Sequence, residues 1–367
     1  MEKLKLKTTV LVYKPFNKNT TVRFNSELIS FEDNNGRIYS FLTLLNDYKT
    51  ESEIKKQFVN KYDDIDESDI DEYLVTLREL NLIETQFTTR DILDEYDSNR
   101  WSRNFEFFNT LISYGENKYK VQQKLALSKV CLLGCGGLGS HILFELAAVG
   151  IKDLVIVDFD KIELSNLNRQ ILYKEEDVGF KKVITAKKRI LEFSPTMNVN
   201  AIDLRISSAK DITDIISDRD LVICVADKPR NYMVKWLNQA CCDLGIPFIN
   251  GGLDTRRAVF YSVIPGESGC TECWRSSLPA DELQAYIVAE DYNENIDYQA
   301  PAPAMSALVS VTTGVMLCEA IKMITGLQPP TLTNRLKSFC FDDLSIETTE
   351  KWQRNDNCSC CGNLKNS

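Results

Sequence analysis

A glycine-rich loop between two apolar segments is the feature that most constrains how this chain can fold. Residues 130–133 are a short apolar run typical of a buried strand, and a helix is expected to extend from the loop to Val149. Between them stands the spacing G-x-G-x-x-G, which lets the backbone approach phosphates where a helix N-terminus favours negative charge. The pattern predicts a nucleotide-binding α/β sheet. Its glycines are Gly134, Gly136, Gly137 and Gly139.

The residues after the loop favour ATP over a dinucleotide. The next apolar run ends in Asp158, 19 positions past Gly139, which suits a ribose hydroxyl and on its own would indicate NAD. Arg169 and Lys182 add positive charge that a triphosphate needs and a dinucleotide does not. A further apolar run, residues 221–226, precedes Asp227, which would face the phosphates and could hold Mg²⁺.

Charge and histidine content exclude several classes of function. The 367 residues include 53 acidic and 43 basic ones, and a net charge of -10 disfavours binding to nucleic acid or an anionic membrane. A single histidine, His141, disfavours Ser/His or Cys/His hydrolases and excludes a multi-histidine metal centre. The first residues have no signal-peptide pattern, so we expect a cytoplasmic, reducing setting. Residues 300–318 are uncharged but contain prolines, which favours a loop and a buried helix over a membrane span.

Two C-x-x-C pairs predict a metal site. Cys270 and Cys273 form the first pair, Cys358 and Cys361 the second, and 84 residues separate the pairs. Four thiolates in two such pairs make a closed tetrahedral Zn²⁺ site, which predicts a structural role because no coordination position stays open. Cys360 is expected to take no part. The other cysteines are expected mostly to fill the core, among them Cys131, Cys135, Cys224, Cys241, Cys242 and Cys318.

Residues 1–90 read as a separate small domain of strands followed by helices, the order of a winged helix. Asn34-Asn35-Gly36 predicts a hairpin turn after which residues 37–39 resume a strand. Thr50-x-x-Glu53 and Ser68-x-x-Asp71 are expected to cap two helices. Seven acidic residues between positions 63 and 72 would repel DNA. Residues 91–125 are expected to form a helical linker.

Several longer motifs resemble a known family. The runs GCGGLGS, VDFDKIELSNLNRQ, VGFKKV and ADKPRN are similar to those of the ubiquitin-activating-enzyme-like adenylating enzymes, the ThiF and MoeB superfamily. The resemblance extends from about residue 99 to the C-terminus. Residues 5–90 resemble the peptide-recognition element of enzymes that modify ribosomal peptides, in which a leader peptide adds as a strand. Together the two parts resemble the microcin-type peptide adenylyltransferases.

The resemblance implies a fold and a set of residue roles. Residues 126–367 would form a Rossmann-like, doubly wound adenylation domain behind a winged-helix-like peptide-binding domain, and residues 276–303 a crossover loop over the active site. Arg103 would reach into the active site of a partner subunit, which implies a homodimer. In the nucleotide site, Asp158 would hold the ribose, Asn166 and Arg169 the phosphates, Lys182 the triphosphate and Asp227 the magnesium, with Asp160 beside them.

The implied reaction is ATP-dependent adenylylation of a short ribosomal peptide. A carboxylate, expected to be the C-terminal one, attacks the α-phosphorus and releases pyrophosphate, giving a nucleotidyl-peptide antibiotic. No general-base histidine is needed because a carboxylate is already anionic. Activation of side-chain carboxylates for cross-linking within the peptide is the alternative. A non-catalytic scaffold is less favoured, as is a sulfur-carrier activator, because no cysteine occurs between Trp274 and Leu317.

Overall fold

The chain forms two compact units, Met1–Gln123 and Lys124–Ser367. The computed structural model describes residues 2–89, 92–229, 232–295 and 303–364, with the backbone alone for 290–295. Each unit has its own hydrophobic core. The segment 91–125 contributes three helices, of which the last spans the junction between the units.

The first unit has two small antiparallel sheets. One pairs β1 with β5, and the other has the order β2-β3-β4. The strands are β1 Leu4–Leu6, β2 Leu11–Val12, β3 Asn19–Phe24, β4 Glu27–Glu32 and β5 Ile83–Thr85. In β3 the side chains of Val22 and Phe24 are buried while Thr21 and Arg23 face outward, which is the alternation that a sheet covered on one face requires.

Three helices cover these sheets, and they begin where the chain offers caps. They are α1 Arg37–Leu44, α2 Glu51–Val59 and α3 Glu67–Glu79. The capping box of Thr50 and Glu53 at α2 is confirmed. The box at α3 is two residues earlier than predicted, at Asp66 and Asp69, because the Asp66 carboxylate accepts hydrogen bonds from two backbone N–H groups of the first turn.

The predicted strand at residues 37–39 is wrong. Gly36 has a φ of 73°, in the left-handed region that favours glycine, and the chain enters α1 directly after it. The buried core under α1 includes Phe41, whose ring meets that of Phe58 edge-on with centroids 5.1 Å apart. The Asn-Asn-Gly turn therefore starts a helix, because the helix can bury Phe41 and Leu42 together.

The predicted linker segment is helical. It comprises α4 Glu95–Arg100, α5 Ser102–Asn109 and α6 Lys118–Leu127. Trp101 and Phe105 are buried together at the start of α5, in a small cluster that Tyr119 of α6 joins. Arg103 lies on α5.

An eight-stranded sheet organises the second unit. Its order is β13-β12-β11-β10-β9-β6-β7-β8. The strands are β6 Lys129–Leu133, β7 Asp153–Val157, β8 Asn198–Ile202, β9 Leu221–Cys224, β10 Phe248–Asp254, β11 Arg257–Val263, β12 Arg335–Cys340 and β13 Ile346–Lys351. From β8 to β10 the strands are parallel, and from β10 to β13 they are antiparallel. The predicted α/β class with a Rossmann-like sheet is confirmed.

Helices connect and cover this sheet. They are α7 Gly137–Val149, α8 Lys182–Phe193, α9 Ala209–Ile216, α10 Met233–Leu244, α11 Thr271–Ser277, α12 Ala280–Asn295 and α13 Ser306–Thr325. The segment predicted as a crossover loop, 276–303, is mostly helical, because α12 occupies 16 of its residues. Residues 296–302 of that segment lie outside the described part of the chain.

Helix α13 is long and apolar enough to cross a membrane, judged by length and composition alone. In the second unit one side of α13 packs against α7, β10 and β11, with Leu308, Val309 and Met316 buried. Core helices of soluble proteins have the same composition, so a single helix of this kind is weak evidence for a span. Cys318, predicted to lie in the core, is exposed on the outer side of this helix.

The α2 cap gives a stability prediction for the first unit. Thr50→Ala removes the hydroxyl that accepts a hydrogen bond from the Glu53 backbone N–H, so we expect a loss of about 1 kcal/mol of unfolding free energy, measured by denaturant titration. The control is Thr76→Ala inside α3, whose hydroxyl bonds only to a carbonyl one turn earlier. Equal losses in the two variants would contradict a capping role for Thr50.

Candidate active site

The glycine loop lies where the order of the sheet reverses. The chain runs from β6 outward through β7 and β8, then returns to the other side of β6 with β9. Ligands of doubly wound sheets bind at such a switch point, beyond the carboxyl ends of the strands. Gly134, at φ 101°, is held so close to the segment after β9 that a Cβ there would lie 3.0 Å from the Ala226 nitrogen.

The loop closes on itself through a second glycine. A Cβ on Gly139 would lie 2.0 Å from the Gly134 carbonyl oxygen, so only glycine permits this approach. The contact brings the first turn of α7 against the end of β6. The Tyr173 hydroxyl donates to the Cys135 carbonyl at 2.7 Å and fixes the loop from the other side. The backbone N–H groups at the start of α7 are thereby held at the switch point.

Asp158 is held rigidly at the end of β7. Its two carboxylate oxygens accept backbone N–H bonds from Cys135, at 2.7 Å, and from Asp160, at 2.8 Å. Burial raises the pKa of Asp158 above its ordinary value of 3.8, against the opposing effect of Lys182 and of the two hydrogen bonds. An oriented carboxylate beside the glycine loop has the placement that a ribose-binding residue needs.

Lys182 and Asp160 form an ion pair beside Asp158. The Lys182 ammonium lies 3.1 Å from a carboxylate oxygen of Asp160, and the Lys182 backbone N–H donates to the Asp160 carbonyl. Lys182 is buried although it begins helix α8, so its charge has little access to water. A buried ammonium held by one carboxylate can exchange that partner for phosphate oxygens.

Arg169 lies over the glycine loop. A Cβ on Gly137 would be 3.4 Å from the Arg169 Cδ, and the guanidinium donates to the Asn168 side chain at 2.8 Å and to the Ser165 carbonyl. Asn166, predicted to contact phosphates, is buried and its side-chain oxygen accepts the Glu163 backbone N–H at 3.2 Å. In this arrangement Asn166 shapes the turn that carries Arg169.

His141 has two hydrogen-bond partners that its position in the sequence does not reveal. Nε2 lies 3.1 Å from the Arg169 carbonyl oxygen, and Nδ1 lies 3.3 Å from the Ser310 hydroxyl of α13. Burial lowers the pKa of His141 below 6.5, so the ring is neutral at pH 7. The structure makes His141 a bridge between α13 and the arginine turn, a long-range relation that no local spacing encodes.

The remaining predicted residues are placed as follows. Asp227 is exposed in the segment after β9, directly beyond the residues that touch Gly134. Arg230 and Asn231, which complete the ADKPRN motif, lie outside the described residues. Arg103 belongs to the first unit, and its role in a partner's active site stays a prediction.

The four cysteines of the two C-x-x-C pairs converge at one end of the second unit's core. Their sulfur atoms lie within 4.8 Å of one another and all four residues are buried. Neighbouring sulfurs are 3.9 Å apart for Cys270 and Cys273, 3.7 Å for Cys270 and Cys358, and 3.4 Å for Cys273 and Cys361. A tetrahedral Zn²⁺ with sulfur ligands at about 2.3 Å requires separations of about 3.8 Å. The donor set and its size fit a metal ion of that kind.

Residues 108–360 match the sequence profile of the ThiF family. This chain belongs to the ThiF family. A sulfur carrier protein adenylyltransferase of Thermus thermophilus is 31% identical over 246 residues, which are 66% of this chain and 84% of that protein. The molybdopterin-synthase adenylyltransferase of Escherichia coli is 28% identical over 243 residues, 66% of this chain and 90% of that protein. The chain is thus an ATP-dependent adenylyltransferase.

A solved structure covers the remainder of the chain as well. The crystal structure of E. coli MccB with AMPCPP and MccA has a TM-score of 0.78 and 26% identity, and the match covers 98% of this chain and 100% of that one. The curated relatives match about two thirds of this chain, whereas MccB matches nearly all of it. The ThiF and MoeB resemblance read from the motifs is confirmed.

The glycine contact gives a prediction about the nucleotide loop. Gly139→Ala places a methyl group against the Gly134 carbonyl, so we expect a lower Tm and loss of ATP binding by calorimetry. Gly136→Ala is the matched control, because its Cβ would meet only the flexible Gln170 side chain at 3.8 Å. A Tm drop as large in the control as in Gly139→Ala would contradict this account of the loop.

Asp158 gives a prediction about pH. We expect the ribose hydroxyls to donate to the carboxylate form of Asp158, so ATP affinity should be full above the pKa of Asp158 and fall as the pH drops through it. Because burial raises that pKa, the loss begins at a higher pH than for an ordinary aspartate. Calorimetry with AMPCPP should show this loss of nucleotide affinity in the wild-type protein as the pH is lowered.

Asp158→Asn is the control for that titration. The phosphates of the nucleotide titrate equally in both proteins, so the affinity ratio of wild type to variant isolates the carboxyl group. We expect this ratio to shrink as the pH falls. A ratio that stays constant with pH would contradict the assignment of the ribose to Asp158.

Proposed function

We propose that this protein adenylylates a short, ribosomally made peptide by activating its C-terminal carboxylate with ATP. The observation that carries the proposal is the match to MccB over both units, in a crystal that also contains MccA. The sulfur-carrier and molybdopterin-synthase relatives match 66% of the chain. A protein that keeps the adenylating core and adds a peptide-binding unit is suited to a peptide substrate.

The reacting groups follow from the site. The peptide carboxylate attacks the α-phosphorus in line, the bond to the β-phosphate oxygen breaks, and pyrophosphate leaves with the electron pair. Lys182 and Arg169 neutralise charge that develops on the phosphate oxygens, while Asp158 and the glycine loop orient the nucleotide. Asp227, an exposed carboxylate beyond β9, would hold Mg²⁺, which supplies further positive charge when bound.

The reaction needs no base from the protein. A carboxylate is anionic at neutral pH, and His141 is neutral with a hydrogen-bond partner at each ring nitrogen. Its environment suits holding the turn of Arg169 better than accepting a proton.

Completion of the site by Arg103 of a second copy remains part of the proposal. Apolar side chains around the nucleotide site that are more than half exposed support a homodimer: Leu164, Ile171, Phe180 and Ile184.

The first unit is proposed to hold the peptide. Among the described residues, β4 pairs with β3 on one side, so its other edge can accept an extended peptide as a further strand. Main-chain hydrogen bonds would supply affinity there, and successive side chains of the peptide would point to opposite faces of the sheet. The four-cysteine cluster is proposed to hold structural Zn²⁺, which ties the C-terminal residues to α11.

The Thermus thermophilus relative is named as an adenylyltransferase of a sulfur carrier protein. Two features of this chain oppose that function here. Relays of that kind place a cysteine near the loop after the first C-x-x-C pair, and none occurs here between Trp274 and Leu317. The first unit would also have no task in such a reaction. Cross-linking through activated side-chain carboxylates shares the first chemical step and is separated from our proposal by its product.

The decisive test identifies that product. The full-length protein is incubated with ATP, Mg²⁺ and the short peptide encoded beside its gene, and the peptide mass is measured. A gain of one nucleotide is expected. A loss of water would sink the proposal in favour of cross-linking, and an unchanged peptide without pyrophosphate would indicate a scaffold.

Arg169→Ala tests the site within the same assay. Loss of the guanidinium over the glycine loop should lower pyrophosphate release at least a hundredfold with an unchanged Tm. The matched control is Arg256→Ala, an exposed arginine paired with Asp342 on the antiparallel side of the sheet, which should retain full activity. Full activity in Arg169→Ala would overturn the assignment of the phosphate-binding residues.

A further inference from the structure

Two cysteines outside the C-x-x-C pairs lie against the four-cysteine cluster. The sulfur atoms of Cys242, Cys270 and Cys360 are all within 4.8 Å of one another. Cys270 therefore belongs to both groups. Neither of the added cysteines is predicted to be a ligand from the spacing of the pairs, since Cys242 is expected in the core and Cys360 is expected to take no part. Six sulfur atoms from α10, α11 and the C-terminal segment converge in one place.

A buried amide side chain orients the second group. Asn238 is 1% exposed and precedes Cys242 by one turn on α10, so both side chains face the cluster. The Asn238 Nδ2 donates to the Cys360 sulfur at 3.1 Å, while its Oδ1 accepts the Thr271 backbone N–H at 3.0 Å. An N–H donor aimed at sulfur favours the thiolate form, and outer partners of this kind hold metal ligands in place.

The first group has an equivalent donor. The Asn355 backbone N–H donates to the Cys273 sulfur at 3.3 Å. Each group of sulfurs thus has one amide donor supplied from outside the group, which a set of neutral packing thiols does not need. In both groups an amide from outside therefore orients a sulfur atom, as the outer partners of metal ligands do.

Charge balance favours an ion in the second group. Four thiolates with one divalent ion carry a net charge of −2. Deprotonating Cys242 and Cys360 adds two negative charges, and a second divalent ion cancels both. Burying net charge costs free energy. The second ion adds none, because its two positive charges cancel the two negative charges of the added thiolates.

We propose that Cys242, Cys270 and Cys360 bind a second divalent d¹⁰ ion, Zn²⁺ in the cell, with the Cys270 thiolate bridging the two ions. The proposal rests on the four-cysteine site proposed above. Binding releases the thiol protons of Cys242 and Cys360 to solvent and involves no redox step. To reach separations of about 3.8 Å, the three sulfurs must approach one another by about 1 Å at most. Three protein ligands leave a fourth position for water.

The experiment counts ions in the full-length protein. Zinc is measured per chain by mass spectrometry after a mild chelator has removed weakly bound metal, and cadmium NMR is recorded on the cadmium-substituted protein. Two ions per chain and two coupled cadmium resonances are expected. One ion per chain would overturn the second site and leave the four-cysteine site standing, whereas no ion would overturn both.

Single substitutions locate the second ion. Cys360→Ser and Cys242→Ser should each reduce the count from two to one. Cys241→Ser is the matched control, because Cys241 is equally buried on the same helix but is in neither sulfur group, and it should keep two. Cys360 is only partly buried in the C-terminal segment, so its replacement tests the site even if Cys242→Ser fails to fold. A count of two in Cys360→Ser would overturn the proposal.

Discussion

The approach of Gly139 to the Gly134 carbonyl is the constraint on which the second unit depends. It fixes how the chain leaves β6 and enters α7, and so aims the first N–H groups of that helix past the end of the sheet. The neighbouring approach of Gly134 to Ala226 joins this turn to the strand on the other side of the switch point. Any side chain at either position would separate β6 from β9 or displace α7.

The charged residues of the site are arranged around that turn by backbone hydrogen bonds. Asp158 accepts an N–H from the glycine loop itself, and Asp160 connects to Lys182 through both main chain and side chain. The site thus combines a rigidly held carboxylate, which we propose accepts hydrogen bonds from the ribose, with a cation whose present partner is exchangeable. This is the combination that nucleotidyl transfer requires, since the sugar must stay in place while charge moves along the phosphates.

Much of this site could be predicted from the sequence because its signals are local. The glycine loop and the aspartate after β7 each occupy a few consecutive residues, as does the capping box of Thr50 in the first unit. Features that depend on competition between local alternatives were predicted less well. Gly36 could start a hairpin or a helix, and the burial of Phe41 decides it; Asp66 and Ser68 could each cap α3, and the carboxylate makes the better acceptor. The bridge through His141 and the position of Cys360 join residues far apart in the chain, so no pattern of spacing contains them.

The contact between α7 and α13 has a mechanical consequence. Ser310 reaches His141, whose ring reaches the carbonyl of Arg169. Three residues further along α13, the Thr313 hydroxyl donates to the partly buried Glu145 carboxylate at 2.8 Å. A sliding movement of α13 along its axis would strain both bonds together, and the first of them continues through the His141 ring to the Arg169 carbonyl. The Ser310 hydroxyl and the His141 imidazole therefore connect α13, whose outer side includes the exposed Cys318, to the turn of Arg169, which we propose binds phosphate. A displacement of that helix would therefore reach the arginine turn through side chains of the protein rather than through the nucleotide.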